Sequence, residues 1–171
     1  MITIRKASVN DADLLSKLSI ETFLPAHGHS ASKNDIDSYI SENFTTKNFT
    51  KELSNENHQY YLFSYNNKIV GYSKVVFNLT CENIDSENIS YLSRIYFLKE
   101  YYGLGLAKQL FDFNIQLCKE NNQIGMWLKV WIENKRAIQF YKKIGFTIVG
   151  KSDFRISENH SNPNHVMYLA F

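Results

Sequence analysis

Cysteine is nearly missing from this chain: there are two in 171 residues, Cys81 and Cys118, neither in a CxxC pair nor beside a histidine cluster. Two cysteines so placed cannot build a disulfide framework and offer no metal-ligand spacing, so both are expected as free thiols in a reducing compartment, with no metal bound. Also missing is any apolar run near the ~20 residues that span a bilayer, and the opening "MITIRKASVNDADLL" has no signal-peptide core. A cytoplasmic protein with no membrane partner is expected. Basic blocks are missing too. Nineteen Lys and Arg against seventeen Asp and Glu leave a net charge of +2, which excludes the electrostatic stripe of a nucleic-acid binder. No internal repeat at a fixed period is visible.

Apolar and aromatic material is plentiful. Hydrophobic residues make up 44% and aromatics 15%, with twelve Phe and eleven Tyr, enough buried surface to offset the entropy of ordering one domain over residues 1–171. Ile2 and Ile4 alternate with polar residues as in a strand. Asn10 or Asp11 can then cap a helix carrying Leu14, Leu15, Leu18 and Phe23. Pro25 to Ser54 is polar with scattered aromatics and predicts one or two short helices facing a substrate. "HQYYLFSYNNKIVGYSKVVFNL" reads as a hairpin turning at Asn66-Asn67, and "ISYLSRIYFL" as a long third strand. A helix from Leu106 to about Asn121, the strand "GMWLKVWI", a helix ending at Gly145 and closing strands "TIVG" and "HVMYLAF" complete the pattern. The order β, α, (α), β, β, β, α, β, α, β, β predicts an α+β fold, a mixed sheet flanked by helices.

Between the third strand and its helix lies "EYYGLGLAKQL", with Gly103, Gly105 and Ala107 at alternate positions. A helix N-terminus offers unpaired N–H groups at the positive end of its dipole, and residues poor in Cβ let an anion lie against the backbone. A P-loop is excluded because Lys108 is followed by Gln109. A dinucleotide fingerprint is excluded because the third glycine is absent. Taken alone, the pair of glycines is more often the mark of a plain tight turn. Further along, Asn134, Ala137 and Tyr141 fall on one narrow helical stripe along which a thin ligand can lie; a helix cap followed by two core residues gives the same spacing.

Together "RIYFL", "YYGLGLAKQL" and "NKRAIQFYKKIGF" resemble the GCN5-related N-acetyltransferases, and the resemblance extends over essentially the whole chain. Stretches such as "LSIETF" and "FYKKIGF" are similar to the bacterial spermine/spermidine acetyltransferase branch. What the resemblance implies is a single-domain fold whose central mixed sheet has a splayed strand pair and helices on both faces. It also implies direct acetyl transfer from acetyl-CoA to a primary amine, most readily a polyamine, in a possible homodimer. By resemblance, the backbone of Ile95, Tyr96 and Phe97 holds the acetyl and pantetheine end. The turn Tyr102, Gly103, Leu104, Gly105, Leu106, Ala107 and Lys108 holds the pyrophosphate, Asn134 and Ala137 line the pantetheine path, and Tyr141 protonates the departing thiolate. The last role also has a chemical basis, since a phenol near pKa ~10 carries its proton at neutral pH while a thiol ionises near ~8.5.

Three positions depart from the family pattern. Tyr102 stands where relatives have Arg or Gln, and Tyr91 and Ser93 stand where they often carry glutamates that serve as base. Glu21 is the candidate to take the amine's proton or to grip its cation, although a solvated helix carboxylate is the ordinary fate of such a residue. Asp35, Asp37, Glu42, Glu82, Asp85 and Glu87 could attract a polycation. His27 and His29 are expected in a loop, and Trp127 and Trp131 as packing residues. An acetyltransferase for a protein, amino acid or antibiotic, or a non-catalytic acyl-CoA-binding module, remains compatible with the same residues.

Overall fold

Asn66 and Asn67 take positive φ (48° and 64°), the two left-handed residues a tight hairpin needs. They join β2 (His58–Tyr65) to β3 (Lys68–Val76), with β1 (Ile2–Lys6) alongside β2. The computed structural model describes residues 1–171. Its seven strands form one sheet in the order β1-β2-β3-β4-β5-β7-β6, where β4 is Ile89–Phe97, β5 Gly125–Trp131, β6 Thr147–Arg155 and β7 Ser161–Ala170. Every neighbouring pair is antiparallel except β4 with β5.

Alternation along the strands sends successive side chains to opposite faces. Tyr60, Leu62 and Tyr72 meet helices α1 (Ala12–His27), α2 (Lys33–Asn43) and α3 (Thr46–Leu53). On the other face, Val75, Leu92 and Leu128 meet α4 (Leu106–Glu120) and α5 (Lys135–Ile144). Helices therefore cover both faces, as the sequence predicts. Polar residues in the buried stripe of α1 are satisfied in place: Ser19 donates to the Tyr72 hydroxyl at 2.8 Å and Thr22 to the Leu18 carbonyl at 2.7 Å. No helix is long and apolar enough to cross a membrane.

Three elements run longer than the sequence suggests. Helix α1 continues through Pro25 to His27; a proline in the last turn forfeits one hydrogen bond, and the Gly28 N–H still closes on the Leu24 carbonyl at 2.8 Å. His27 is thus helical, not a loop residue. Strands β6 and β7 extend through the polar stretch around Ser152 to Asn164, whose composition masks an edge hairpin paired from Thr147↔Tyr168 to Arg155↔Ser161. Asp11 does open α1, but its carboxylate turns back to Arg5 (2.6 Å) and the Ser8 N–H (2.8 Å) instead of capping the helix.

The feature that makes a site is a short ladder. Strands β4 and β5 pair only at Ile89↔Gly125, Ser90↔Met126 and Tyr91↔Trp127, then diverge. Just past that point the β3–β4 register slips, with Lys74 opposite Arg94 and Val75 opposite Leu92. Ser93 is the extra residue of a bulge, and a bulge bends its strand and re-aims the side chains beyond it. Leu92–Phe97 and Leu128–Trp131 consequently face one another across an open V with no ladder between them.

Candidate active site

One arm of the V feeds the glycine turn. Gly103 and Gly105 have φ of +82° and +74°, and a Cβ at either position would meet no atom within 4 Å. Their conformation favours glycine, and the space beside them is open. No backbone N–H from Gly103 to Lys108 donates to a protein acceptor. Six consecutive free donors at the start of a fifteen-residue helix can receive an anion. The Lys108 ammonium is committed to Asp112 at 2.6 Å, so this residue offers such an anion its N–H alone. Leu104 points to solvent, while Gly103, Leu106 and Ala107 line the cleft. Gly105→Ala is expected to weaken acetyl-CoA binding about tenfold, because the left-handed φ costs about 1–2 kcal/mol for a residue with a Cβ. Calorimetric titration checks it; affinity within twofold of wild type would count against a pyrophosphate at this turn.

Tyr102 has a partner that sequence spacing does not reveal. The Arg136 guanidinium of α5 lies over its ring at 4.6 Å, and both line the cleft. A cation thus stands beside the turn.

Across the V, α5 presents the predicted stripe. Asn134 caps the helix, its Oδ1 accepting from the Ala137 N–H at 3.2 Å, and it also lines the cleft; the cap and the lining are both real. Tyr141 projects from the same helix, held by Phe111, Phe140 and Phe146 at ring separations of 5.5–6.2 Å. Burial among these rings, with Tyr91 nearby, pushes its phenol well above the ordinary tyrosine value, and the hydroxyl has no protein hydrogen-bond partner. It is a proton-bearing group aimed into the cleft.

The cleft measures about 520 Å³ and continues past the V onto the α1 and α2 face. There Phe23, Tyr39, Trp131 and Phe154 form an aromatic wall, Phe23 stacked on Tyr39 at 5.2 Å and Phe154 against Tyr39 at 5.6 Å. Trp131, expected to be packing, is part of this wall, whereas Trp127 stacks on Tyr91 at 4.2 Å and donates to the Leu79 carbonyl. The extension of α1 brings in His27, whose Nε2 lies 3.2 Å from the Tyr96 hydroxyl. Burial, reinforced by His29, lowers its pKa to about 4, so it is neutral at pH 7.

Several expected residues are elsewhere. Glu21 is exposed and does not line the cleft, because the turn of α1 that puts Phe23 and His27 inward turns position 21 to solvent. None of the six acids proposed to attract a polycation lines the cleft either; Asp35 and Glu42 border a separate groove with Arg155 and Glu158. Glu133 is the one carboxylate on the cleft wall. Conversely, Arg94, Tyr39 and Phe154 line it without having been singled out. Arg94 had a readable signal, a lone charge in the otherwise apolar and hydroxylic strand "ISYLSRIYF".

Known proteins share this fold and family. The model of the acetyltransferase (GNAT) family matches residues 22–146. An uncharacterized N-acetyltransferase of Mycobacterium tuberculosis is 28% identical over 154 residues, covering 90% of this chain and 94% of the relative. The PaiA N-acetyltransferase from Thermoplasma acidophilum, solved in complex with coenzyme A, superposes with a TM-score of 0.79 at 21% identity, over 100% of this chain and 99% of that one. The ribosomal-protein-S18-alanine N-acetyltransferase of Escherichia coli gives 0.72 at 16% identity, over 99% and 94%.

Proposed function

Because the chain belongs to the GNAT family of acetyltransferases, we propose that it transfers the acetyl group of acetyl-CoA directly to a primary amine, both substrates being held in the cleft together. The observation that carries this reading is the joining of three features in one cavity: the run of free N–H groups at Gly103–Lys108, the unladdered edges of β4 and β5, and the Tyr141 hydroxyl. An acyl-CoA brings a pyrophosphate, an amide-bearing pantetheine arm and a thioester, and those features answer them in that order. Strand edges at Ile95–Phe97 supply backbone donors and acceptors to the arm, as an added strand would receive them.

An amine acceptor arrives largely as ammonium and must lose a proton before it attacks. Tyr91 and Ser93 cannot serve as base, and Glu21 lies outside the cleft. His27, in contact with Tyr96 and held neutral by burial, is far less basic than the amine, so it can only relay that proton toward solvent past exposed His29 and not store it. At the other end Tyr141 faces the departing sulfur. An ordinary phenol already holds its proton more tightly than a thiol does, and burial raises the Tyr141 value further, so complete transfer to a free thiolate is uphill. The phenol therefore acts as a hydrogen-bond donor to charge growing on sulfur, and its proton crosses as the C–S bond breaks in the same apolar surroundings. In balance, a C–N bond forms, a C–S bond breaks and sulfur gains the tyrosine proton; of the two protons the amine nitrogen loses, one reaches solvent and the other restores Tyr141.

The polyamine acceptor suggested by the sequence finds little to hold it, since a polycation calls for several carboxylates and only Glu133 lines the wall. The test is CoA release, read with a thiol reagent, over a panel of amines that includes spermidine, spermine and amino acids. Amine-dependent release is expected. Tight acetyl-CoA binding without release from any amine would overturn the transferase reading in favour of a binding module.

A further inference from the structure

Arg94 sits in a buried cluster whose charges do not cancel. The Glu52 carboxylate of α3 meets the Lys74 ammonium of β3 at 2.5 Å and Nη1 of Arg94 at 3.9 Å, and accepts from the Tyr60 hydroxyl. One carboxylate thus serves two cations. Nearby His58 adds no counter-charge: its Nδ1 lies 4.0 Å from Glu52 without a hydrogen bond, and burial lowers its pKa. The side chains of Lys74 and Arg94 are only 9% and 15% exposed, so the surplus positive charge is poorly hydrated and its cost is considerable.

Arg94 has donors to spare, and it lines the cleft. Of the five N–H donors on Arg94, the hydrogen bond formed is from Nη1 to the Tyr60 hydroxyl at 2.9 Å. Nε and Nη2 make none, yet neither is sealed from solvent, and Arg94 lines the cavity. Its guanidinium is fixed against the rings of Phe44 (5.4 Å) and Phe49 (5.5 Å), which holds the free edge in a set direction. Such an edge, rigid and half desolvated, matches a carboxylate in two parallel hydrogen bonds.

We propose that Arg94 anchors a carboxylate on the acceptor, so that the amine acetylated by this protein is an amino-acid-like molecule and not a polyamine. The inference rests on the transferase reading above. The position suits it: the Ser93 bulge re-aims β4, and Arg94 and Tyr96 then share the face that meets α1 and α2, away from the glycine turn. A carboxylate at Arg94 leaves the body of the molecule against the aromatic wall of Phe23, Tyr39 and Phe154, which favours an apolar or aromatic side chain. A polyamine there would bring positive charge against positive charge.

The test compares acceptors that differ by the carboxylate alone, phenylalanine with phenethylamine and leucine with isoamylamine, with spermidine as a further arm, in wild type, Arg94→Lys and Arg94→Gln. Wild type is expected to prefer the carboxylate-bearing member of each pair. In Arg94→Gln the ratio of kcat/KM within each pair should fall by about tenfold to a hundredfold, the worth of a hydrogen-bonded charge. The amines' own basicities cancel in that comparison. Arg94→Lys keeps the charge, and with it the balance of the buried cluster, but loses the fork, so an intermediate fall is expected from a variant that folds. Equal preference in wild type and both variants, or spermidine as the preferred acceptor of wild type, overturns the assignment while leaving the transferase reading standing. No CoA release with any amine overturns both.

Discussion

Tyr141→Phe is expected to lower kcat about 100-fold or more while changing the KM for acetyl-CoA less than about twofold. General-acid assistance is worth about 10²–10⁴ in rate, and the substitution removes one oxygen from a side chain whose ring stays clasped by Phe111, Phe140 and Phe146. The hydroxyl bonds to nothing in the protein, so its loss breaks no internal hydrogen bond and stability should be unaffected. That separation is what makes the experiment decisive: steady-state kinetics reads the chemistry, and a melting curve reads the fold. An unchanged kcat, where chemistry limits turnover, would remove Tyr141 from the mechanism; a large fall in melting temperature would instead assign it to the core.

Glu52→Ala is expected to destabilise the fold by about 3–5 kcal/mol, the range for stripping one partner from a buried ion pair. Lys74 and Arg94 would be left together with no anion, each poorly exposed, and the melting temperature should drop by roughly 10 °C for a chain of this size. The two cations hold the Glu52 carboxyl below the ordinary carboxylate value even though burial pushes the other way. A carboxyl with a depressed folded pKa contributes stability that is complete above its unfolded value. That contribution is lost as pH falls through the folded one. The stability gap between wild type and Glu52→Ala should therefore be widest at neutral pH and narrow below about pH 4. Chemical denaturation at several pH values measures it, and a gap independent of pH would mean that packing, not charge, sets the effect.

The glycine turn and the α5 stripe that border the cleft were legible in the sequence and the aromatic wall of the candidate acceptor side was not, for physical reasons. A glycine turn before a helix depends on backbone conformation, and left-handed φ leaves its trace as glycine at fixed positions, here Gly103 and Gly105. The stripe Asn134, Ala137, Tyr141 follows from helical period alone. Acceptor residues obey no such local rule. Phe23, Tyr39, Arg94 and Phe154 come from α1, α2, β4 and β6 and meet only because distant segments close on one another. Glu21 shows the hazard of naming a residue by chemistry without its helical phase: two positions separate it from Phe23, and that turns it to solvent. The hairpin of β6 and β7 was underestimated because strand signals rest on apolar alternation, whereas "SDFRISENHSNPN" pairs along an edge mostly through its backbone.

The junction of β4 and β5 has a mechanical consequence. The strand ladder between β1–β4 and β5–β7 is only three residue pairs long, Ile89↔Gly125 to Tyr91↔Trp127. The protein is in effect two plates sharing a short seam, with α4 and α5 packed together below it. A ligand that bonds to both edges of the V would add rungs to that seam, a splint as much as a reactant. Binding that engages the folded state alone raises stability by mass action, and here the reinforcement falls where the sheet has least of its own.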